Sequence, residues 1–415
     1  MQLLNNRVRP YAWGSRTTIA ELLGREVPAP HPEAELWLGA HPGDPSAVVD
    51  ADGARRSLID VLAADATGQL GPAVVARWGD RLPFLLKVLA ADEPLSLQAH
   101  PSARQAAEGY AREERAGIAR EAANRNYPDP TAKPELVCAL TEFHALAGFR
   151  DPDRTVELLR AVQTPALSGH VDLLAAEPDG EGLRALFTTW ITLPQPAIDA
   201  LLPDLLDSCV THVKEHGGFE LECRTILELG ERYPGDCGVL AALLLNRLVL
   251  APGEAIFLPA GNLHTYLHGT AVEVLANSDN VLRGGLTPKH VDVPELLRVL
   301  DFRYGDMLVT TGEPAGPRRV YRTAAPEFEL SRIEWAADEP RAEVKLEGGV
   351  PRILVCVDGG VRAAAVDGRE LTLRRGQSMW LPAADPDVVL APVGEGRSRL
   401  FAATVGSETA GVSSL

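Results

Sequence analysis

Three stretches of this chain carry residue types that can hold a metal or move a proton. In LSLQAH, residues 95–100, Ser96, Gln98 and His100 stand two apart and share one face of an extended strand, while Leu95, Leu97 and Ala99 take the other. Unpaired buried polar groups cost about 1–3 kcal/mol each, so such a polar face belongs either to a ligand site or to a solvent-facing edge strand. In TAKPEL, Pro134 pushes Lys133 into an extended conformation and aims Lys133 and Glu135 toward the same side. A surface ion pair is the alternative reading of those two residues. The third stretch, residues 253–290, opens with an apolar strand at 255–258 that Pro259, Gly261 and Asn262 break with a tight turn. An alternating run through His264, Tyr266 and His268 follows, which predicts a β-hairpin pointing histidine inward. Glu273, Asp279, Arg283 and Lys289 come next, among small and turn-forming residues.

Gln98, His100, Glu135 and His264 together make a mixed nitrogen and oxygen set of the kind zinc accepts in catalytic sites. No thiolate joins them: the cysteines, at 138, 209, 223, 237 and 356, show no CxxC spacing and read as free thiols. Two rival groupings are weaker. A zincin helix built on His264 and His268 needs Glu after the first His, and Thr265 stands there. His212 and His216 could clamp a metal on an inserted helix, but no third ligand lies nearby in sequence, and a solvated face accounts for them. His31, His41, His144, His170 and His290 are expected to be satisfied or exposed side chains without a ligand role.

Positioning these groups takes more than one core, and 415 residues predict two or three domains. With 46% hydrophobic and 23% charged residues the chain is globular and can bury those cores. A net charge of −17 argues against a nucleic-acid or anionic-membrane surface, while a few local cations can still receive an anionic small molecule. The N-terminal MQLLNNRVRPYAWG has no signal-peptide apolar region, and the apolar run 239–250 is interrupted by Asn246 and Arg247, so a soluble cytoplasmic protein is expected. Residues 1–150 read as β-rich, with helices predicted at 17–23 and 103–123. From 151 to 248 apolar residues recur at three and four spacing, which predicts an all-helical insertion with a stop at Gly217 and Gly218. The β texture returns over 249–302. Residues 303–415 repeat short alternating segments at jelly-roll intervals, with a cupin-like order of strands and turns over 351–383. The last histidine is His290, so this second barrel cannot hold a histidine metal centre and is expected to be structural or dimerising.

The strings YAWGS, AELWLGAHPGDPS, LPFLLKVLAADEPLSLQAHP, KPELVCALTEFHALAGF and FLPAGNLHTYLHGTAVEVLANSDNVLRGGLTPKHVDV, in this order over about residues 7–302, resemble the type I mannose-6-phosphate isomerases, zinc-dependent enzymes of the cupin fold. The C-terminal third fits in texture alone. The fold class this implies is mainly β with a helical insertion: two cupin-like jelly-roll barrels plus an α-helical domain. The division is 1–150 and 249–302 for the catalytic barrel, 151–248 for the insertion and 303–415 for the C-terminal barrel. The resemblance also implies one zinc ion per chain on Gln98, His100, Glu135 and His264. Arg283 matches the active-site arginine, and Lys289, Ser96 and Lys87 match positions lining the phosphate end of the pocket. Trp13 is a candidate aromatic wall, with core packing as the alternative. Just before the KPE string many members have Asn-His where this chain has Thr131 and Ala132, so any proton-shuttle role of that histidine passes to another group.

Aldose–ketose isomerisation moves a proton between C2 and C1 through an enediol, which calls for a base and for groups that hold negative charge on oxygen. Glu273 is the first choice of base, with Asp279 and Lys133 as rivals. The expected activity is interconversion of mannose 6-phosphate and fructose 6-phosphate. The alternatives are a metal-dependent cupin isomerase for another sugar phosphate and a catalytically silent sugar-phosphate sensor. The presence of Glu273, Asp279, Arg283 and Lys133 together favours catalysis. The expected partner is a sugar-phosphate substrate, with no nucleic acid and no membrane, and the chain is expected to be a monomer, a weak dimer being the alternative.

Overall fold

The computed structural model describes residues 1–50, 52–337 and 342–406; the last residues of the expected C-terminal unit, 407–415, lie outside the described residues. In chain order the strands that bear on the site are β1 (Gln2–Asn5), β2 (Arg7–Arg9), β3 (Glu35–Gly39), β4 (Ala47–Val49), β5 (Arg55–Ser57), β6 (Phe84–Ala91) and β7 (Leu97–Ala99). They continue with β8 (Glu135–Ala139), β9 (Phe143–Phe149), β10 (Leu245–Leu250), β11 (Ala255–Leu258), β12 (His264–Ala276), β13 (Leu282–Gly285) and β14 (Val309–Thr310).

The long strand β12 organises the barrel because it belongs to both of its faces. Residues 269–276 pair antiparallel with β6 on one side and β8 on the other. Residues 264–268 pair instead with β7 and β9. The change of neighbours falls at a bulge between Tyr266 and His268, followed by Gly269 at φ 115°. A Cβ at Gly269 would stand 2.4 Å from the Glu142 carbonyl oxygen, so glycine alone lets the strand turn this corner. The same bulge breaks the alternation expected from sequence: His268 is exposed, beside His144, while His264 and Tyr266 are buried.

The expected hairpin between 255–258 and His264 does not form. Strand β11 pairs with β8 and β14, and β8 lies between β11 and β12. The alternating residues set which way side chains point, whereas the wholly buried β8 has two free edges and takes both strands as neighbours. The tight turn is real. Gly261, at φ 78°, donates its N–H to the His100 carbonyl at 2.8 Å and so ties the end of β11 to the end of β7.

Between β9 and β10 the chain runs through helices Pro152–Val162, Ser168–Ala176, Gly180–Ile191, Gln195–Lys214, Glu220–Arg232 and Gly238–Ala242. Asp151 and Asp179 cap two of them by accepting backbone N–H bonds from the first turn. Their apolar faces, with Leu158, Phe187, Trp190 and Leu205, bury in a core that also takes Leu97, Ala99 and Leu282. The helices therefore cover the apolar faces of β7 and β13 and leave the polar face of β7 to the barrel interior. The chain then returns as β10, antiparallel to β9. Of the two helices expected outside the insertion, the second is Ala103–Arg115, shorter than 103–123, with a Ser102–Gln105 capping box. Helices Leu58–Ala64, Ala66–Leu70 and Pro72–Trp78 had no sustained period to announce them, being broken by Asp65 and Gly71.

The C-terminal strands Glu329–Trp335, Arg352–Asp358, Gly360–Ala365, Glu370–Arg374, Ser378–Leu381 and Ser398–Thr404 fall on the alternating segments. The pairings cross the expected linear division at both ends. Strand β1 pairs with Ser378–Leu381 and with β4, so β1, β4 and β5 extend the C-terminal sheet, while β14 extends the site-bearing one. One buried core joins Leu36, Val88 and Val272 to Ile353, Trp380 and Phe401.

Candidate active site

The starts of β8 and β12 meet the end of β7, and this junction collects the proposed donors. Gln98 stands opposite His264 in the β7–β12 pair. The Glu135 carboxylate lies between two imidazoles, with Oε1 3.4 Å from His100 Nε2 and Oε2 3.3 Å from His264 Nε2. All three residues are buried, at 2–4% exposure, and one ligand atom from each lies within 4.8 Å of the others.

The hydrogen bonds behind the imidazoles say what this cluster is for. His100 Nδ1 lies 2.7 Å from the Asn280 carbonyl and His264 Nδ1 lies 3.0 Å from the Asn262 carbonyl. A carbonyl accepts and cannot donate, so each Nδ1 carries the proton and each Nε2 turns a lone pair toward Glu135. Two lone pairs and a carboxylate facing one another repel, and His100 Nε2 is a buried atom with no hydrogen-bond partner among the described residues. A cation between them resolves the conflict, and neutral Nε2 ligands backed by carbonyls are how proteins present histidine to zinc. Gln98 Nε2 donates to Ser96 Oγ at 3.2 Å, which leaves Gln98 Oε1 as a fourth donor. Burial pushes the His100 imidazole down to about 4, so it is neutral at pH 7. Burial alone would raise Glu135, but Lys133, with Nζ 3.1 Å from Oε1, holds its carboxyl well below the usual range.

Beside the donors a small cavity is lined by Lys87, Ser96, Gln98, Lys133, Tyr266 and Glu273, among others. Glu273 faces Lys87 in the β6–β12 register, with Lys87 Nζ 3.3 Å from Glu273 and 3.3 Å from Glu35. Tyr266 donates its hydroxyl to Glu273 Oε1 at 2.7 Å, and the Trp37 indole donates to Glu35 Oε2 at 2.7 Å. Burial raises the Glu273 carboxyl above its usual range, with Glu135 and Glu35 adding to the effect and Lys87 opposing it. Burial works against the Lys87 charge, yet Glu35 and Glu273 hold that ammonium firmly protonated. With an ion pair on each side, Lys87 is committed to carboxylates, which points it away from the phosphate role expected of it.

The remaining cations are differently placed. Arg283 stands opposite Gln98 in the β13–β7 pair and so shares its face. Neither its guanidinium nor the Lys289 ammonium has an ion-pair partner among the described residues, and Lys289, on the exposed loop after β13, is lowered first by partial burial and then by the Arg283 charge. Asp279 sits at the exposed edge, its Oδ1 3.3 Å from His41 Nε2. His41 Nδ1 accepts the Gly43 N–H at 3.1 Å, so Nε2 carries the proton that Asp279 receives. Partial burial would raise Asp279, and the His41 bond brings it below its usual value. Trp13 stacks on Tyr11 at 5.7 Å and packs on the core that holds Leu89 and Leu95, behind the cavity wall.

Four residues of this surround were not singled out from sequence. By sequence His41 has no ligand role, yet it closes on Asp279. Glu35 and Asn280 belong to no chemical motif of the sequence, and Tyr266 enters it only as a member of the alternating run. Glu35 was the most legible of them, a carboxylate inside the otherwise apolar run of β3. The rival histidine groupings dissolve: His212 binds the Gly218 carbonyl, His216 lies 3.6 Å from Glu220, and His268 is exposed.

A mainly β fold with a buried mixed donor set in its barrel, cations at one rim and a raised carboxylate beside it defines a cupin-type metal site built for proton transfer. The family model for the phosphomannose isomerase type I catalytic domain matches residues 1–152. Mannose-6-phosphate isomerase of Escherichia coli (strain K12) is 40% identical over 404 residues, 96% of this chain and 98% of that protein. The Homo sapiens mannose-6-phosphate isomerase is 31% identical over 405 residues, 92% and 93% of the two chains. Among solved structures, a variant phosphomannose isomerase from Salmonella typhimurium superposes with a TM-score of 0.88 at 37% identity, covering 98% of this chain and 100% of that one. A zinc-bound mannose 6-phosphate isomerase superposes with a TM-score of 0.87 at 38% identity, covering 98% and 99%. The chain belongs to the type I mannose-6-phosphate isomerase family.

Proposed function

We propose that this protein interconverts mannose 6-phosphate and fructose 6-phosphate with one zinc ion per chain, held by Gln98 Oε1, His100 Nε2, Glu135 and His264 Nε2. The observation that carries the reading is the pair of buried Nε2 lone pairs turned onto Glu135 by carbonyl bonds at both Nδ1 atoms, next to a buried, raised Glu273. When bound, zinc supplies Lewis acidity and orients the sugar. Glu273 takes the proton from C2 and returns it to C1. Burial gives its carboxylate the basicity for this, while Tyr266 and Lys87 hold it in place. Arg283, permanently charged, balances the negative charge that develops on the sugar oxygens. Lys289 and Ser96 receive the phosphate with Arg283 near them, and Trp13 backs the wall. Lys133 and Asp279 remain the rival proton carriers, with Asp279 now coupled to His41. The division into a catalytic barrel, a helical insertion and a C-terminal barrel belongs to the same reading, with β1, β4 and β5 counted with the C-terminal barrel. So do a monomeric chain and a cytoplasmic location; among the described residues no helix is long and apolar enough to cross a membrane.

A coupled assay with mannose 6-phosphate tests the proposal before chelation, after it and with zinc restored. Turnover should vanish on chelation and return with zinc. Absence of turnover with any divalent metal would overturn the isomerase reading, and turnover that survives full metal removal would overturn the zinc role.

A further inference from the structure

Asp129 lies outside the donor set, yet two segments of the site meet on its carboxylate. Oδ1 accepts the Thr131 N–H at 3.0 Å together with the Thr131 hydroxyl. Oδ2 accepts the Asp279 N–H at 2.8 Å and the Ser278 hydroxyl at 3.0 Å. Four donors fill the lone-pair sites of an ionised carboxylate. One oxygen therefore serves the segment that runs into Lys133 and Glu135, and the other serves the segment that runs into Arg283. A second set of bonds crosses in the opposite sense. Asn280 Nδ2 donates to the carbonyls of Asp129 and Thr131, both at 2.8 Å, and Asn280 is fully buried.

This knot reaches the donor set through one atom. The Asn280 carbonyl accepts the His100 Nδ1 proton, and that bond keeps the His100 Nε2 lone pair turned into the site. A shift of 278–280 away from 129–131 carries the carbonyl with it. His264 does not depend on the knot, because its Nδ1 proton goes to the Asn262 carbonyl in the turn after β11. An amide in place of the Asp129 carboxylate has one acceptor oxygen and an NH2 that only donates. It accepts from one segment and sets its NH2 against the donors of the other, so the same shape no longer holds both.

We propose that Asp129 is a positioning residue for the metal site: by accepting from both segments at once it fixes the Asn280 carbonyl, and through that carbonyl the tautomer and aim of His100. Thr131 shares the role, since it supplies two of the four donors. The proposal rests on the metal reading of His100, Glu135 and His264.

Asp129→Asn in the full chain tests this, with zinc affinity read by competition against a chelating indicator and the imidazoles read by NMR in protein carrying isotope-labelled histidine. Zinc affinity should fall about tenfold or more. In the zinc-loaded variant the His100 Nδ1–H resonance should shift and exchange faster with water, while that of His264 stays in place. Ser278→Ala removes one donor and leaves the carboxylate, so it should move both readouts the same way by less; should Asp129→Asn fail to fold, Ser278→Ala carries the test alone. Asp151→Ala removes a helix cap in the insertion and should lower stability without moving either readout. Wild-type zinc affinity in Asp129→Asn, or in Ser278→Ala where that variant alone folds, would overturn the proposal. So would equal disturbance of His100 and His264, or an equal loss of zinc in Asp151→Ala. A wild-type chain that takes up no zinc would overturn the metal reading together with this one, whereas wild-type affinity in the variants overturns this one alone.

Discussion

Glu273 is the residue whose surroundings alter its chemistry most usefully. A carboxylate in water is too weak a base for a carbon acid, and burial at 3% exposure raises it while Lys87 limits the rise. Glu273→Gln keeps the shape and the Tyr266 contact but removes the base, so kcat should fall by about 10²–10⁴-fold with zinc content unchanged. In the proposed mechanism the catalytic form is the deprotonated one, and its pKa sets the acid limb of kcat/KM. Lys87→Met deletes the cation that lowers Glu273, so the carboxyl rises further and the acid limb should move to higher pH. An acid limb that stays in place, or moves down, would pass the base role to Asp279 or Lys133. The polar face of β7 was readable from two-residue spacing because strand geometry fixes side-chain direction locally. The pairing of His41 with Asp279 was not, since it joins two loops more than two hundred positions apart and neither residue sits in a periodic segment.

At the scale of elements, β12 does the assembling. His264 points into the site from the half paired with β7 and β9, Glu273 from the half paired with β6 and β8, and the corner at Gly269 sets one against the other. Gly269→Ala places a Cβ against the Glu142 carbonyl at φ 115°, a conformation alanine avoids. It should lower stability by roughly 1–3 kcal/mol in urea unfolding and weaken zinc retention, because His264 and Glu273 no longer keep their relative register. Wild-type stability and zinc content in this variant would show that the corner tolerates a side chain. Element types were largely legible here: the alternating C-terminal segments and most of the helical insertion expected at 151–248 announce themselves by period, although the apolar run at its end, from Leu245, is strand β10. Neighbours were not. The turn at Pro259 and Gly261 looked like a hairpin turn, and what separates β11 from β12 is β8, whose own edges say nothing about which strand will come to them. Gly269 gave no warning of a sheet corner, since a glycine inside a strand equally suits a bulge or a close backbone approach.

For the molecule as a whole, two consequences follow from how the site and the cores are built. In the metal-free protein the depressed His100 matters to stability. Its folded pKa of about 4 lies below the unfolded value of about 6.5, so across that window the unfolded chain binds a proton that the folded chain refuses. Stability is then fully present above the unfolded value and should fall with acid through this window, by up to about 1.4 kcal/mol per pH unit. Glu135, also depressed, adds its own loss only below the ordinary carboxylate range. Urea midpoints of the chelated protein that stay flat from neutral pH to about 4.5 would show that His100 is not held neutral by burial. The second consequence concerns the C-terminal barrel, which carries no histidine and none of the proposed site residues. It looks dispensable until the shared core is considered: Leu36, Val88 and Val272 behind the site pack in one cluster with Ile353, Trp380 and Phe401. The Tyr321 hydroxyl also bonds the Gly253 carbonyl at 2.8 Å, and β1 has its partner strand at Ser378–Leu381. A fragment of residues 1–302 holds every proposed ligand and catalytic group, yet it strips the cover from this core and leaves β1 unpaired on one edge. It should therefore show no cooperative thermal transition, retain no zinc and turn over no substrate. A soluble 1–302 fragment with wild-type turnover would mean that the site-bearing barrel folds by itself and that the C-terminal barrel serves some purpose other than closing its core.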